Sequence, residues 1–200
     1  MTEGELRYRL RCLDKPRYDF RGDESVLDSG CGNGGVARLL RERVGEVTAV
    51  DVEPSPDWHD EHGLRFVVAD AEALPFADGA FDVVHSKDSL HHMQAPERAL
   101  AEYRRVLKPG GTALIIEANR YNPLFYVHMT VALGHQHFTR NRFRTLVRAA
   151  FPGARFGSFE AHYAPPLERA LPLQNVIEQT LERLRPFRPF LSYNFAVAER

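Results

Sequence analysis

Short apolar runs rich in Val and Ile alternate with helical patterns through most of the chain, a rhythm that predicts an α/β fold with a mainly parallel sheet. The first run, Ser25 to Asp28, leads into a Gly-rich turn and then a helix whose inward face is Val36, Leu39, Leu40 and Val44, spaced three and four apart. A second strand, Val47 to Val50, ends on Asp51, and a third, Leu64 to Val68, ends at Asp70. Pro54, Pro56 and Gly63 lie between them, so a loop or a single turn is expected there rather than a full helix.

Phe81 to His85 reads as strand four. Pro96 then opens a helix with apolar positions Ala99, Leu100, Tyr103, Val106 and Leu107, which Lys108-Pro109-Gly110-Gly111 stops. Thr112 to Glu117 is nearly all apolar, as a strand covered on both faces must be, and belongs in the sheet centre. Beyond it, Tyr121 to Phe138 is aromatic and His-rich, and Phe143, Leu146, Val147 and Ala150 outline a helix ending near Pro152-Gly153. Arg155 to Tyr163 reads as strand six, Pro165-Pro166 opens an inserted segment with a helix near Leu173 to Leu184, and Leu191 to Ala198 is the final strand. A single domain over residues 1–200 is expected, with 1–24 as an N-terminal cap and 119–140 and 164–189 as substrate-lid insertions.

With 200 residues, 44% hydrophobic and 26% charged, the chain can bury a proper core. A formal net charge of −1 provides no global field for nucleic acid or an anionic membrane and leaves only local patches to do so. Cys12 and Cys31 are the only cysteines, and Cys31 lies inside the Gly-rich turn, which favours free thiols and a cytoplasmic setting over a disulfide framework. No run approaches the roughly 18 apolar residues that span a bilayer, and the polar, Arg-rich start has no apolar signal region, so neither secretion nor membrane insertion is expected.

The chemistry concentrates on the strand ends. Gly30-x-Gly32-x-Gly34 lets backbone approach a ligand closely at the carboxyl edge of the sheet. The spacing differs from the G-x-G-x-x-G that places a pyrophosphate on a helix, and Asp28 stands two positions before the first glycine. A carboxylate there suits the ammonium of S-adenosylmethionine, which has no phosphate. Asp51 can accept hydrogen bonds from both ribose hydroxyls, a role that also suits NAD. Asp70 either accepts from the adenine amine while the Ala71 N–H donates to a ring nitrogen, or caps a helix starting at Asp70-Ala-Glu-Ala.

Asp28-Ser-Gly-Cys-Gly-Asn-Gly, Asp51, Asp70-Ala-Glu-Ala-Leu-Pro-Phe, Phe81-Asp-Val-Val, Leu90-His-His and Leu107-Lys-Pro-Gly-Gly resemble, in order and spacing, the class I methyltransferases of the quinone- and sterol-methylating type, known as methyltransferase type 11. The resemblance runs from about Ser25 to Ala118. It implies a three-layer Rossmann-like fold with a seven-stranded, mainly parallel sheet and an antiparallel last strand, which suits Leu191 to Ala198. It also implies S-adenosylmethionine as cofactor and S-adenosylhomocysteine as product. Gly30 and Gly32 would then lie against the methionine portion, Asp51 on the ribose, Asp70 and Ala71 on the adenine, and Ser86 near the methionine portion or the sulfonium. Asp28, Cys31 and Val52 complete the expected cofactor set.

The link after strand two is shorter than the family's usual helix, so Trp58 is either part of the adenosine wall or ordinary packing. Arg17 or Tyr18 is a candidate cap over the ligands, against the alternative of a solvated Arg-rich helix. Methyl transfer from a sulfonium needs alignment and water exclusion, and a protonated acceptor also needs a base. His91 is the candidate catalytic base, chosen over its neighbour His92, with purely structural roles for both as the alternative. His135-Gln136-His137 has no Cys or carboxylate at a familiar ligand spacing, so no metal site is expected. Tyr121, Tyr126, His128 and Phe138 suggest a lid over a flat or apolar molecule. Arg140, Arg142, Arg144 and Arg148 are either phosphate contacts or a solvated helix face.

Ser86-Lys87-Asp88-Ser89 replaces the Asn/Asp-Pro-Pro-Tyr of amino-methylating nucleic-acid enzymes. The expected activity is methylation of a small organic acceptor by a monomer or homodimer, with nucleic acid an improbable partner. RNA methylation, a non-catalytic S-adenosylmethionine-binding domain and a nicotinamide oxidoreductase are the competing readings, the last disfavoured by the glycine spacing.

Overall fold

A computed structural model describes residues 1–123, 126–127, 131, 134, 137–162 and 171–200. The helices are α1 (Glu3–Asp14), α2 (Gly35–Arg41), α3 (Pro96–Val106), α4 (Arg140–Ala150) and α5 (Leu171–Arg183). The strands are β1 (Ser25–Ser29), β2 (Glu46–Asp51), β3 (Leu64–Val68), β4 (Phe81–Lys87), β5 (Leu107–Ala118), β6 (Arg155–Phe159) and β7 (Tyr193–Glu199). They form one seven-stranded sheet in the order β3-β2-β1-β4-β5-β7-β6. The first five strands in chain order run parallel, and β7 is antiparallel to both β5 and β6. Strand order reverses between β1 and β4, the place where open α/β sheets leave a crevice beyond their carboxyl ends.

Successive residues of a strand face opposite sides, and the core divides accordingly. On one side Leu27, Val84 and Ile115 pack with Leu100 and Tyr103 of α3 and Phe143 and Val147 of α4. On the other, Val26, Val83 and Leu114 pack with Leu39 and Leu40 of α2 and Leu13 of α1. The expected face of α2 is present, with Val44 buried just beyond its end and Val36 half-buried.

Several boundaries move, three of them at the centre and far edge of the sheet. The helix α3 ends at Val106, and Leu107, expected in the helix, begins the strand instead, because it already pairs with Phe81 across an irregularity in the β4–β5 ladder. Lys108-Pro109-Gly110-Gly111 lies within the strand's span but outside its pairing, bulging between the Phe81–Leu107 and Val83–Thr112 pairs. Strand four continues past His85 to Lys87, where it still pairs with Ile116. Strand six stops at Phe159, and Tyr163 lies outside the described residues. The link from Asp51 to Leu64 forms turns and a single Glu61–Leu64 bridge, with no helix.

The Arg-rich start is not a solvated helix. Arg7 and Arg11 of α1 bind Glu178 of α5 at 2.9 and 3.2 Å, Arg11 binds Glu182 at 2.7 Å, and Lys15 also pairs with Glu182. Burial raises the proton affinity of Glu178, but Arg7, Gln174 and Arg11 outweigh it and hold the carboxyl below its ordinary pKa. Tyr18 turns inward to Glu24 at 2.6 Å instead of toward a ligand. Among the described residues no helix is long and apolar enough to cross a membrane.

Candidate functional site

The Gly-rich turn leaves β1 at Ser29 and requires left-handed backbone at Gly30, Gly32 and Gly34, with φ of 74°, 52° and 78°. At Gly30 a side chain is excluded twice, because a Cβ there would stand 2.3 Å from the Cβ of Ser89. The amides of Gly30 and Cys31 donate to the Val50 carbonyl at 2.9 and 3.0 Å, which draws the turn over the end of β2. Asp51 secures it further, accepting from the Gly32 amide at 2.8 Å through Oδ2 and from the Val52 amide at 2.8 Å through Oδ1.

A cavity of about 710 Å³ opens beyond the carboxyl ends of the central strands. It brings together Gly30, Gly32, Asp51, Val52, Asp70 and Ala71 of the expected set, and adds Glu53, Glu72, Asp88, Ser89, His92, Met93 and Gln94. Asp70 lines the cavity, and its Oδ1 accepts from the Glu72 amide at 2.8 Å in a local turn; no helix follows it, so the expected helix cap is not formed. Glu72 in turn accepts from the Ala95 amide at 2.9 Å, tying this wall to the start of α3.

On the other side of the turn a smaller pocket of about 200 Å³ is lined by Asp28, Cys31, His85, Lys87 and Arg9. Asp28 is 2% exposed; its Oδ1 meets Nδ1 of His85 at 2.7 Å, and its Oδ2 is buried with no hydrogen-bond partner among the described residues. A buried carboxylate oxygen without a donor is costly, so this atom is placed to receive a cationic or N–H group. Together with the cradle that only glycine at position 30 leaves open, it fits an amino-acid ammonium held against the turn.

Ser86, expected just past strand four, lies inside that strand and lines neither pocket. It is fully buried beneath the cavity wall, with Oγ 2.7 Å from Ser89 Oγ and 3.3 Å from the Tyr103 hydroxyl. Ser89 is the serine that reaches the cavity. The pleat explains the displacement: Ser86 is still inside the strand, paired with Ile115, whereas the chain leaves the sheet only after Lys87. Trp58 braces the turn from outside, donating from Nε1 to the Gly32 carbonyl at 2.8 Å while stacking on Phe66, and is absent from the cavity lining.

His91 follows in a 3-10 turn, Leu90–His92. Its side chain is 2% exposed, and Nδ1 lies 2.7 Å from Oε2 of Glu117. The other oxygen of Glu117 accepts from the Ser89 and Leu90 amides at 3.1 and 2.8 Å, so one carboxylate positions the whole turn. Burial pulls the His91 pKa down, but the hydrogen bond and charge of Glu117 pull harder, and the net direction is upward. His92, not His91, lines the cavity, and the ring of His137 stands 4.3 Å from that of His91. His128, His135 and Gln136 lie outside the described residues.

Asp88 takes φ 52°, unusual for a residue with a side chain. Its Oδ1 accepts from the Ala118 amide at 3.0 Å, and its Oδ2 from Lys87 at 2.5 Å and the Tyr193 hydroxyl at 3.2 Å. Burial raises its pKa, but Lys87 more than offsets this and the carboxyl is held below its ordinary value. Arg9, Lys87, Asp88, Ser89 and Glu117 were not singled out as site residues in the sequence. Glu117 carried a signal, a lone acid at the end of an apolar central strand, as Asp28 and Asp51 are on theirs.

Residues 27–115 match a family described as a methyltransferase domain. The ubiquinone/menaquinone biosynthesis C-methyltransferase UbiE of Bordetella avium is 41% identical over 114 residues, which is 52% of this chain and 44% of that protein. The chain spans about half the length of the curated relatives it matches. A methyltransferase described as putative, solved with the Trm112 activator of Haloferax volcanii, superposes with a TM-score of 0.69 at 22% identity, covering 98% of this chain and 91% of that one. The [4+2]-cyclase SpnF superposes with a TM-score of 0.70 at 24% identity, covering 100% and 85%. These likenesses establish the Rossmann-like methyltransferase fold, and the cyclase among them illustrates that the fold alone does not set the reaction.

Proposed function

We propose that this chain, which matches the methyltransferase-domain family over residues 27–115, binds S-adenosylmethionine and transfers its methyl group to a small organic acceptor by direct in-line displacement. The observation that carries this reading is the pairing of the unpartnered Asp28 Oδ2 with a glycine cradle beside a cavity that already contains Asp51 and Asp70. When bound, S-adenosylmethionine supplies a methyl group already activated on a sulfonium, so the chain provides no covalent nucleophile.

Asp28 holds the ammonium, and Gly30, Cys31 and Gly32 pass the methionine portion. Arg9 and Lys87, lining the same pocket, hold its carboxylate. Asp51 accepts from the ribose hydroxyls beside Val52, and Asp70 with the Ala71 amide addresses the adenine. Ser86 acts through Ser89, fixing the wall next to the sulfonium. Residues 1–24 serve as a cap, with Arg9 as the group that reaches the site, and 119–140 closes over the acceptor. Residues 164–189 are the second lid candidate; among the described residues, neither segment lines the cavity.

Calorimetry separates the cofactor classes: S-adenosylhomocysteine is expected to bind and NADH to give no heat, and the reverse result overturns the proposal. A radiolabelled-methyl screen over phenols, amines, quinones and RNA then addresses the acceptor. Label on a small molecule supports the reading, label on RNA alone replaces the substrate class, and silence throughout makes the chain a binding module.

Where the acceptor carries a proton, the proposed base is His91, oriented and made more basic by Glu117, which requires the acceptor to reach a ring 2% exposed beside the cavity-lining His92. Neutral His91 is the active form, so kcat rises as pH rises through its elevated pKa, above the ordinary 6.5. Glu117→Gln removes the upward influence and is expected to move this limb to lower pH, while His91→Ala lowers kcat by roughly 10²–10⁴-fold. A pH-independent kcat in the parent protein removes His91 from the chemistry.

A further inference from the structure

Helix α5 is inside out. Its inner face is polar: Gln174, Asn175, Glu178 and Glu182 engage Arg7, Arg11 and Lys15 of α1 and the carbonyl of His162, and Glu178 is 1% exposed. Its outer face is apolar. Leu173, Val176 and Ile177 are 62, 61 and 50% exposed, and Leu184, just past the helix, is 44% exposed. These positions fall three, four and seven apart, so they form one stripe, interrupted by the exposed Thr180. An amphipathic helix of a globular protein ordinarily turns such a stripe to the core, and a contiguous exposed apolar face marks an interaction surface.

The stripe continues into the 3-10 turn Arg185–Phe190, where every residue is exposed and the sequence alternates Arg185, Phe187, Arg188 and Phe190. Arg183, Arg185 and Arg188 have no ion-pair partner among the described residues. Arg188 also forms one wall of a cavity of about 400 Å³ at the β6 edge, together with Lys15, Arg17, Arg140 and Arg155. Against these five cations stands one carboxylate, Glu182, which is already committed to Arg11 and Lys15. Nε of Arg140 is buried with no hydrogen-bond partner among the described residues. Arg144 and Arg148, one and two turns further along α4, lie over the ring of Phe156, another lining residue of this cavity, at 5.5 and 5.1 Å. The formal charge of −1 for the whole chain therefore conceals a strongly cationic region.

Apolar and aromatic side chains interleaved with arginine, next to a cationic cavity, match the boundary of a bilayer, where acyl chains meet phosphate headgroups. A second copy of the chain is a poorer occupant. A twofold contact centred on this turn would bring Arg183, Arg185 and Arg188 against their own equivalents, and the run 183–190 contains no acid to offset them. Nucleic acid would account for the cations but not for an exposed stripe of Leu, Val and Ile.

We propose that the outer face of α5 and the turn Arg185–Phe190 dock this protein peripherally on an anionic phospholipid surface, with headgroup phosphates taken by Arg185, Arg188 and the adjoining cationic cavity. The apolar side chains enter only the headgroup–acyl boundary, so docking does not require a membrane-spanning helix. The inference stands independently of methyl transfer, because none of these residues lines the cofactor cavity.

The test is co-sedimentation of the full chain with vesicles of phosphatidylcholine alone or of equimolar phosphatidylcholine and phosphatidylglycerol. Binding at least about tenfold tighter to the anionic vesicles, weakening as salt is raised, is expected. Val176→Ser/Ile177→Ser and, separately, Arg185→Glu/Arg188→Glu are each expected to reduce that binding about tenfold or more without changing the thermal melt, since all four positions are exposed. Equal binding to both vesicle types, or binding unchanged by both double variants, overturns the proposal. So does a concentration-dependent dimer that the apolar variant abolishes, which would assign the face to a second copy. Inorganic phosphate or an RNA oligonucleotide binding the cationic cavity while vesicles do not would likewise replace the lipid.

Discussion

Gly30→Ala is expected to destabilise the protein by several kcal/mol and to abolish measurable binding of S-adenosylhomocysteine. The backbone at this position has φ 74°, which costs an L-residue about 1–2 kcal/mol. The added methyl would stand 2.3 Å from Ser89 Cβ and 2.9 Å from its Oγ. Ser89 has little room to withdraw, since its amide is held by Glu117 at 3.1 Å and its hydroxyl lies 2.7 Å from that of Ser86. Overpacking of this kind adds about 1–3 kcal/mol. Any relief must therefore come from the turn itself, which moves the cradle away from the ligand. Gly22→Ala is the matched control: nothing lies within 4 Å of its Cβ position, and its expected effect is within about 0.5 kcal/mol. Denaturant unfolding and calorimetry on the two variants decide the matter, and a Gly30→Ala protein that behaves like the control refutes the role given to the turn.

The second large effect is expected at Asp28. Asp28→Asn keeps the shape and an oxygen for the His85 ring, now at 2.7 Å, but removes the charge and puts two N–H donors in the pocket when the amide keeps that contact. A hydrogen bond to a charged group is worth about 1.5–3 kcal/mol, so affinity for S-adenosylhomocysteine should fall roughly 10–150-fold. Adenosine lacks the ammonium, and its affinity should not change. That contrast distinguishes a direct contact from general damage to the turn: equal losses for both ligands would make Asp28 a structural residue, and no loss for either would remove it from the site.

Much of this was legible along the chain because it depends on neighbours in sequence. Apolar periodicity reports strands and helices, since a backbone of period two or 3.6 must place like residues on one side. It located β1, β2 and β3 closely, and Pro54, Pro56 and Gly63 correctly signalled a link without a helix. The glycines of the turn, Asp51 at the end of β2 and Asp70 beyond the end of β3 were equally readable, because a parallel sheet delivers every such end to one edge. Ser86 was misplaced by local reasoning, since where β4 stops is decided by its ladder to β5 and not by its own residues.

What the sequence by itself determined is thus the fold class, the order of its elements and the sheet edge that carries the candidate site. Only the tertiary structure decided which distant side chains meet there: Arg9 from α1 beside Asp28, Glu117 from β5 beneath His91, and Ser89 against Gly30. It also decided the orientation of α5. A helical period shows that one face is apolar, but which face turns inward depends on what the partner presents, and α1 presents arginines to glutamates 171 positions away along the chain. Periodicity is a property of the backbone, whereas pairing over that separation is a property of topology, and no local pattern encodes it.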